Sequence, residues 1–413
     1  MQTEWTSEQL ASKVWDAVIV GGGMVGATVA LGLARNGFQV LLLEKVAPAL
    51  SWQPDTPYQT RVSALTRASE NILRSLGVWP AIEKRRLHAF TDMHVWEDIS
   101  NAEIHFDSAS LEEPNLGYII ENNVIQAALW EMLLNDERVT PVTGRLLSEV
   151  TLNSNFAQLT FEEGLQLETK LVIGADGAFS KLRQLANIGV DTHDYQQCAI
   201  VGCVKTEFPH QNTCWQRYRH EGPFAYLPMD DNVSSIAWYL PLEKMQWALE
   251  LDDIQFAREV EKASGSKLGR VIEGMERVGF PLVRRHAQHY VKPHLALVGD
   301  AAHTIHPQAG QGVNLGLLDA AALIETLSDA KQASNQDWSR MSVLRRYERW
   351  RRGDNAIVQK SMEGFDWLFK QDVELKNQIR KTLLPIADHL TPAKNWLMEQ
   401  ALNGRDQLPV LAK

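Results

Sequence analysis

Cysteine is scarce: Cys198, Cys203 and Cys214 are the three in 413 residues. So few thiols in so long a chain cannot form a disulfide framework. Their spacing offers no second cysteine pair and no histidine pair, so no metal is expected. Apolar runs are short, and none reaches the roughly 20 residues a membrane-spanning helix needs. Positive charge is in deficit, with 41 Lys and Arg against 51 Asp and Glu and a formal net charge of -10. That balance argues against a nucleic-acid partner. Glu4 and Glu8 stand ahead of the first strand pattern, whereas a signal peptide needs a basic start and a longer apolar segment. The expected location is the cytoplasm, with peripheral membrane contact left open. No internal repeat, low-complexity tract or flexible linker interrupts the chain.

What is present suits two joined domains with a sizeable core, since 45% of residues are hydrophobic. Thirteen tryptophans are many for this length. Their expected place is core and inter-domain packing; the alternative for a few, such as Trp215 and Trp238 with Phe224 and Tyr226, is an apolar tunnel. Strand and helix signals alternate, which indicates an α/β fold. Ala17 to Val20 reads as a strand, followed by a helix to about Asn36-Gly37 and a second strand from Phe38 to Leu43. Leu171-Val172-Ile173 and Leu295 to Val298 read as two more strands, each ending in glycine. Between about 190 and 284 the pattern changes to alternating segments such as Ser234 to Tyr239, expected to be antiparallel. After about Arg345 the pattern is helical.

Gly21-Gly22-Gly23-Met24-Val25-Gly26 spells G-x-G-x-x-G directly after a strand. The glycines permit a tight turn and a close approach to a pyrophosphate, and the following helix points its positive end at the phosphates. Glu44 ends the second strand 18 residues after Gly26, where a carboxylate can bind ribose hydroxyls. This pattern does not separate FAD from NAD. No second such loop follows a strand, so a dedicated nicotinamide-binding domain is not expected.

Two further motifs follow strands. Gly174-Ala175-Asp176-Gly177 continues to Ser180 and Arg183, and Gly299-Asp300-Ala301-Ala302-His303 continues to His306 and Pro307. Gly310-Gln311-Gly312-Val313-Asn314 comes next and should open a helix. Either motif alone reads equally well as a helix cap.

Taken in order, the three motifs resemble those of the class A FAD-dependent aromatic monooxygenases. The resemblance implies a Rossmann-like FAD-binding domain of the para-hydroxybenzoate hydroxylase type, an inserted antiparallel-sheet substrate domain and C-terminal helices. The expected division gives 1–88, 118–190 and 285–345 to the FAD-binding domain. It gives 89–117 and 191–284 to the substrate domain, and 346–413 to the helical segment. It implies FAD as cofactor, NAD(P)H as transient co-substrate and O2 as the oxygen source, with oxygen delivered by a C4a-hydroperoxyflavin. Asp300 would accept a hydrogen bond from the ribityl chain. The helix start at Gly310, Gly312, Val313 and Asn314 would face the pyrimidine end of the flavin. Pro307 would lie beside the reactive ring edge. Asp176 and Arg183 belong to a motif placed near both cofactors' diphosphates.

The resemblance is nearest to the ubiquinone-biosynthesis hydroxylases. It is carried by Arg61-Val62-Ser63-Ala64-Leu65-Thr66, Leu76-Gly77-Val78-Trp79, Leu116 to Leu129, Phe280 to Ala287 and Val298 to Gly316. It implies a polyprenylated quinol as substrate and a place in a ubiquinone-biosynthesis complex. Arg61 would stand near the flavin and Gln126 on a helix beside the cofactor. His303 and His306 are the candidates for a base that deprotonates the phenol. Still open at this level are the ring position, a small aromatic acid as substrate, and a non-catalytic flavin-bound scaffold.

Overall fold

The structure, a computed structural model, describes residues 5–97, 103–230, 232–304, 311–333, 337–369 and 407–413, with the side chains of 275, 311 and 361–369 outside that description. Strands Trp15–Val20, Val40–Glu44, Val139–Thr143, Gln166–Gly174 and Leu295–Leu297 run parallel in one sheet, in the order Leu295–Leu297, Gln166–Gly174, Trp15–Val20, Val40–Glu44, Val139–Thr143. A hairpin, Leu147–Leu152 and Ala157–Phe161, continues from Gln166–Gly174, and Val291–Lys292 closes the far edge. Val40, Leu41, Leu42 and Leu43 are all buried, as a parallel sheet covered on both faces requires.

Helix Met24–Arg35 follows the first strand and stops at Asn36, with Gly37 in the left-handed region at φ +77°. Its Gly32 lets helix Gln311–Ala333 come close, since a β-carbon there would lie 2.3 Å from Ile324 Cδ1. Helix Asn122–Leu133 packs on the same domain through Trp130, which is fully buried. A small sheet of Val62–Leu65, Gly117–Glu121 and His88–Phe90 stands between this unit and the second large sheet.

The second sheet has the order His303–Thr304, Val271–Ala287, Val190–Thr206, Val233–Pro241, Phe224–Pro228, Thr213–Tyr218, Asp92–Glu97, Glu103–Asp107. Neighbours are antiparallel except Thr213–Tyr218 with Asp92–Glu97. The expected border after residue 284 falls inside the strand Val271–Ala287.

The period of two along these strands sorts their side chains. Cys198, Ile200, Phe224, Tyr226, Ile236, Trp238 and Leu240 form one buried cluster with Ala248, Phe256 and Val260 of helices Met245–Glu250 and Asp253–Ser264. Ala199, Val201, Ala237, Tyr239, Phe280 and Leu282 occupy the opposite face. Phe224, Tyr226 and Trp238 are thus core behind the sheet, not tunnel lining. Trp215 sits at the margin of that core with the Lys267 ammonium 4.3 Å from its ring centre.

Helix Met341–Phe369 packs against helix Gln311–Ala333, and the C-terminal residues 407–413 return to the body. Asn71 Nδ2 donates to Ala412 O and Trp350 Nε1 to Gln407 O. Among the described residues no helix is long and apolar enough to cross a membrane.

Candidate active site

The register of the parallel sheet brings the motifs together. Val20 lies beside Gly174, and Gly174 beside Leu297. Three strands therefore end level, and the Gly21, Ala175 and Val298 turns leave from one rim. Backbone hydrogen bonds stitch that rim: Ala175 N to Val20 O at 2.8 Å, Val298 N to Gly174 O at 2.9 Å, and Gly21 N to Leu43 O at 2.8 Å.

Within the first loop the glycines differ in what they do. Gly21 has φ +103°, and a β-carbon on it would lie 2.4 Å from Ala175 O; one on Gly26 would lie 1.9 Å from Gly21 O. These two pack backbone on backbone. Gly23 faces open space, with no atom within 4 Å of its missing β-carbon. It is the N-cap of helix Met24–Arg35, which no side chain caps, so the helix presents free N–H groups there. Met24 is partly buried against the core, and Val25 fills the gap between Gly299 and Gly316.

Glu44 reaches back to this loop. Its Oε2 accepts the Gly22 amide at 2.5 Å and its Oε1 the Lys45 amide at 2.7 Å. Gln126 Nε2 and Trp130 Nε1 both donate to Gly22 O, at 3.0 and 2.7 Å. The Gln126 side chain thus fixes the loop rather than facing open space.

The second motif turns inward. Asp176 accepts from Ser180 Oγ at 2.5 Å and from Leu182 N at 3.0 Å, capping helix Lys181–Leu185. Arg183 is buried, its Nη1 donating to Ala301 O at 2.7 Å and its Nη2 to Ala178 O at 2.9 Å. Arg183 thereby holds the third motif in place, while the local helix-cap reading of Asp176 describes its contacts.

That third motif is a turn, Gly299–Ala301, entered by Gly299 at φ +56°. Asp300 has protein atoms around it, yet its side chain remains accessible. It makes no hydrogen bond or ion pair to a described residue. Burial raises its carboxyl above the usual carboxylate value, opposed by nearby His303, Arg61 and Arg285. Arg61 is exposed, close enough for its charge to act on Asp300.

His303 does not share that exposure. It is 2% exposed, stacked on Tyr290, and its Nε2 meets Asp319 Oδ2 at 2.5 Å. A ring so enclosed offers no accessible nitrogen to a substrate. His306, Pro307 and Gly310 lie outside the described residues.

The helix that follows does open at Gln311. Gly312 faces open space and Val313 packs on the core. The Asn314 side chain is committed to structure: Nδ2 donates to Ala64 O at 2.8 Å, and Oδ1 accepts from Ser69 Oγ at 2.7 Å and Thr66 N at 3.1 Å. It ties this helix to strand Val62–Leu65 and the helix start after it, and leaves the backbone as the part that can face a ligand.

Sequence reasoning missed Asp319 and Arg351. The available signal was a carboxylate within the apolar run Leu315 to Leu323, where a charge needs a buried partner. Burial works against ionisation of Asp319, but His303 and Arg351 outweigh it and hold the carboxyl well below the usual range.

The cleft suits a dinucleotide. Two helix starts, at Gly23 and Gln311, border open space at Gly23 and Gly312, with the Glu44 and Asp300 carboxylates on its rim. Helix N-termini favour phosphate and other negative charge. Comparison with known proteins agrees. A family model described as an FAD binding domain matches residues 14–360. The chain is 40% identical over 388 residues to 3-demethoxyubiquinol 3-hydroxylase of Escherichia coli K12, covering 94% of this chain and 98% of that one. It is 34% identical over 434 residues to the mitochondrial ubiquinone biosynthesis monooxygenase COQ6 of Caenorhabditis elegans, covering 94% and 96%. The fold is shared with the crystal structure of p-nitrophenol 4-monooxygenase from Pseudomonas putida DLL-E4, at TM-score 0.75 and 18% identity over 95% of this chain and 99% of that one. This chain belongs to the FAD-dependent aromatic monooxygenases, in the family of the ubiquinone-biosynthesis hydroxylases.

Proposed function

We propose that this enzyme hydroxylates the aromatic ring of a polyprenylated quinol in ubiquinone biosynthesis, using FAD, NAD(P)H and O2. The ring position we assign is the one its 40%-identical bacterial relative is named for, 3-demethoxyubiquinol. The observation that carries this reading is the convergence of three strand ends on one rim, beside the open space at Gly23, in a chain aligned with that relative over 94% of its length.

Bound FAD supplies the electron transfer and oxygen activation. The chain's residues bind and orient. In this reading the amides at Gly23 to Gly26 receive the pyrophosphate, Glu44 the ribose hydroxyls, Asp300 the ribityl chain, and the backbone from Gly310 to Asn314 the pyrimidine end of the ring. Arg61 adds positive charge beside Asp300. Pro307 and His306 keep the places the resemblance gives them.

The ring of the substrate would lie against the sheet face on which Val201, Ala237 and Phe280 are only partly buried. At its other end the same face packs through Cys203, Cys214 and Val233 onto Val62 and Ala64 of strand Val62–Leu65, which follows Arg61. Small apolar side chains there favour an uncharged ring over a carboxylate substrate, which would require a cationic pocket. Because a polyprenyl chain partitions into lipid, the reading includes a cytoplasmic enzyme meeting its substrate at a membrane surface, alone or in a biosynthetic complex.

The test is complementation of a strain that accumulates the demethoxylated quinol, with the quinone pool identified by mass. Ubiquinone should be restored, carrying one more oxygen from 18O2 than the demethoxylated quinol that precedes it. Unchanged accumulation alongside FAD-bound protein would overturn the substrate assignment.

A further inference from the structure

Asp319 is fully buried in helix Gln311–Ala333, and it accepts four hydrogen bonds. Oδ2 takes one from Gly299 N at 3.1 Å and one from His303 Nε2 at 2.5 Å. Oδ1 takes one from Arg351 Nε at 2.8 Å and one from Asn355 Nδ2 at 3.1 Å. Gly299 and His303 bracket Asp300, so a single carboxylate oxygen holds the turn at both ends. Arg183 holds its middle through Ala301 O.

Arg351 comes from helix Met341–Phe369. It is 2% exposed, and its remaining nitrogens donate to Asp354 Oδ2 and Asn355 Oδ1, both at 3.0 Å. Buried ion pairs are weak sources of stability, because desolvation offsets their attraction and apolar packing can replace them. What they supply is direction, since charge-assisted hydrogen bonds fix their partners' geometry. Here the geometry fixed is that of a left-handed glycine and the accessible carboxylate after it.

We propose that Arg351 and Asp319 are positioning residues for FAD: through them helix Met341–Phe369 sets the orientation of the Gly299–His303 turn and aims Asp300 into the cofactor cleft. This rests on the reading that Asp300 receives the ribityl chain. It assigns to the C-terminal helix a part in cofactor affinity without any contact of its own with the cofactor.

The experiment is FAD titration of the apo-protein by fluorescence quenching, beside far-UV circular dichroism and thermal unfolding of the same apo-proteins. Asp319→Asn combined with Arg351→Met removes both charges of the fully buried pair; Asp354, the arginine's other carboxylate partner, is partly exposed and keeps its charge in contact with water. This double variant is expected to fold and to bind FAD at least about tenfold more weakly, the loss of one or two charge-assisted hydrogen bonds. Arg351→Lys, which keeps the charge but loses the guanidinium fork, is expected to fall between wild type and the double variant. Arg351→Gln is read in the same way as the double variant if the latter does not fold. Wild-type FAD affinity in a folded charge-free variant overturns the proposal. So does failure of both the double variant and Arg351→Gln to fold, because the network would then be structural only. Wild-type protein that ignores FAD, or Asp300→Asn that binds it as wild type does, would instead sink the cleft assignment.

Discussion

The Gly22 amide donates to Glu44 Oε2 at 2.5 Å. This bond ties the end of the second strand to the middle of the glycine loop, so the carboxylate meant for a ribose also shapes the phosphate turn. Its other oxygen is held by the Lys45 amide, which fixes both its position and its rotation.

Removing that carboxylate should therefore act on cofactor and loop together. Glu44→Ala is expected to weaken FAD binding about ten- to a hundredfold, the range for a charged hydrogen bond lost from a partly buried site. Glu44→Gln should lose less, because the amide oxygen can still accept from Gly22. Fluorescence titration of the two apo-proteins decides; equal affinities in wild type and Glu44→Ala would refute the ribose assignment.

Gly23 and Gly26 should separate binding from folding. Gly23→Ala adds a methyl to open space, so apo-protein stability should stay within about 0.5 kcal/mol while FAD retention on desalting falls. Gly26→Ala drives a methyl to within 1.9 Å of Gly21 O and is expected to cost about 3 kcal/mol of stability. Urea unfolding of both apo-proteins, and flavin absorbance of both FAD-loaded proteins after desalting, test the pair; a stable Gly26→Ala would contradict the packing described.

Asp300 should trade stability for function. Its carboxyl is raised above the usual range by burial, so its contribution to stability is fully present below the unfolded value, about 3.9. That contribution is lost as pH rises through the folded value. At pH 7 the apo-protein therefore carries a penalty that Asp300→Asn removes. The variant's apo-protein should melt higher than wild type at pH 7, with the gap closing toward pH 4, while its FAD affinity falls. A lower melting temperature at pH 7 would show that Asp300 is a structural anchor.

The two faces of the second sheet give a fourth test. Trp238 lies in the core behind the sheet and is 2% exposed. Trp238→Ala should cost about 3–5 kcal/mol of stability. Its neighbour Ala237 points to the opposite face. Ala237→Trp should leave FAD binding intact and raise KM for the quinol about tenfold or more. An unchanged KM would move the substrate elsewhere.

The glycine loop, the strand before it and Glu44 could be read from the chain because each depends on residues within a few positions. Only glycine meets the close backbone approach at Gly21 and Gly26, and apolar runs ending in glycine mark buried parallel strands. Helix starts at Met24 and Gln311 follow from the same local rules. The alternation across Val233–Pro241 revealed a strand but not which face would meet a helix, so Trp238 and Tyr226 stood as tunnel candidates until the register placed them in the core.

Tertiary structure decided the division of labour among the motif residues. Asp176 became a helix cap, Arg183 and Asn314 became braces, and His303 went to a buried carboxylate while Asp300 kept access to the cleft. Asp319 and Arg351 lie 32 positions apart in the sequence, and nothing local to either specifies the other. Backbone constraints are written in short stretches of residue types. Which side chain finds which partner depends on sheet register and helix packing, and those exist only when the whole chain has folded.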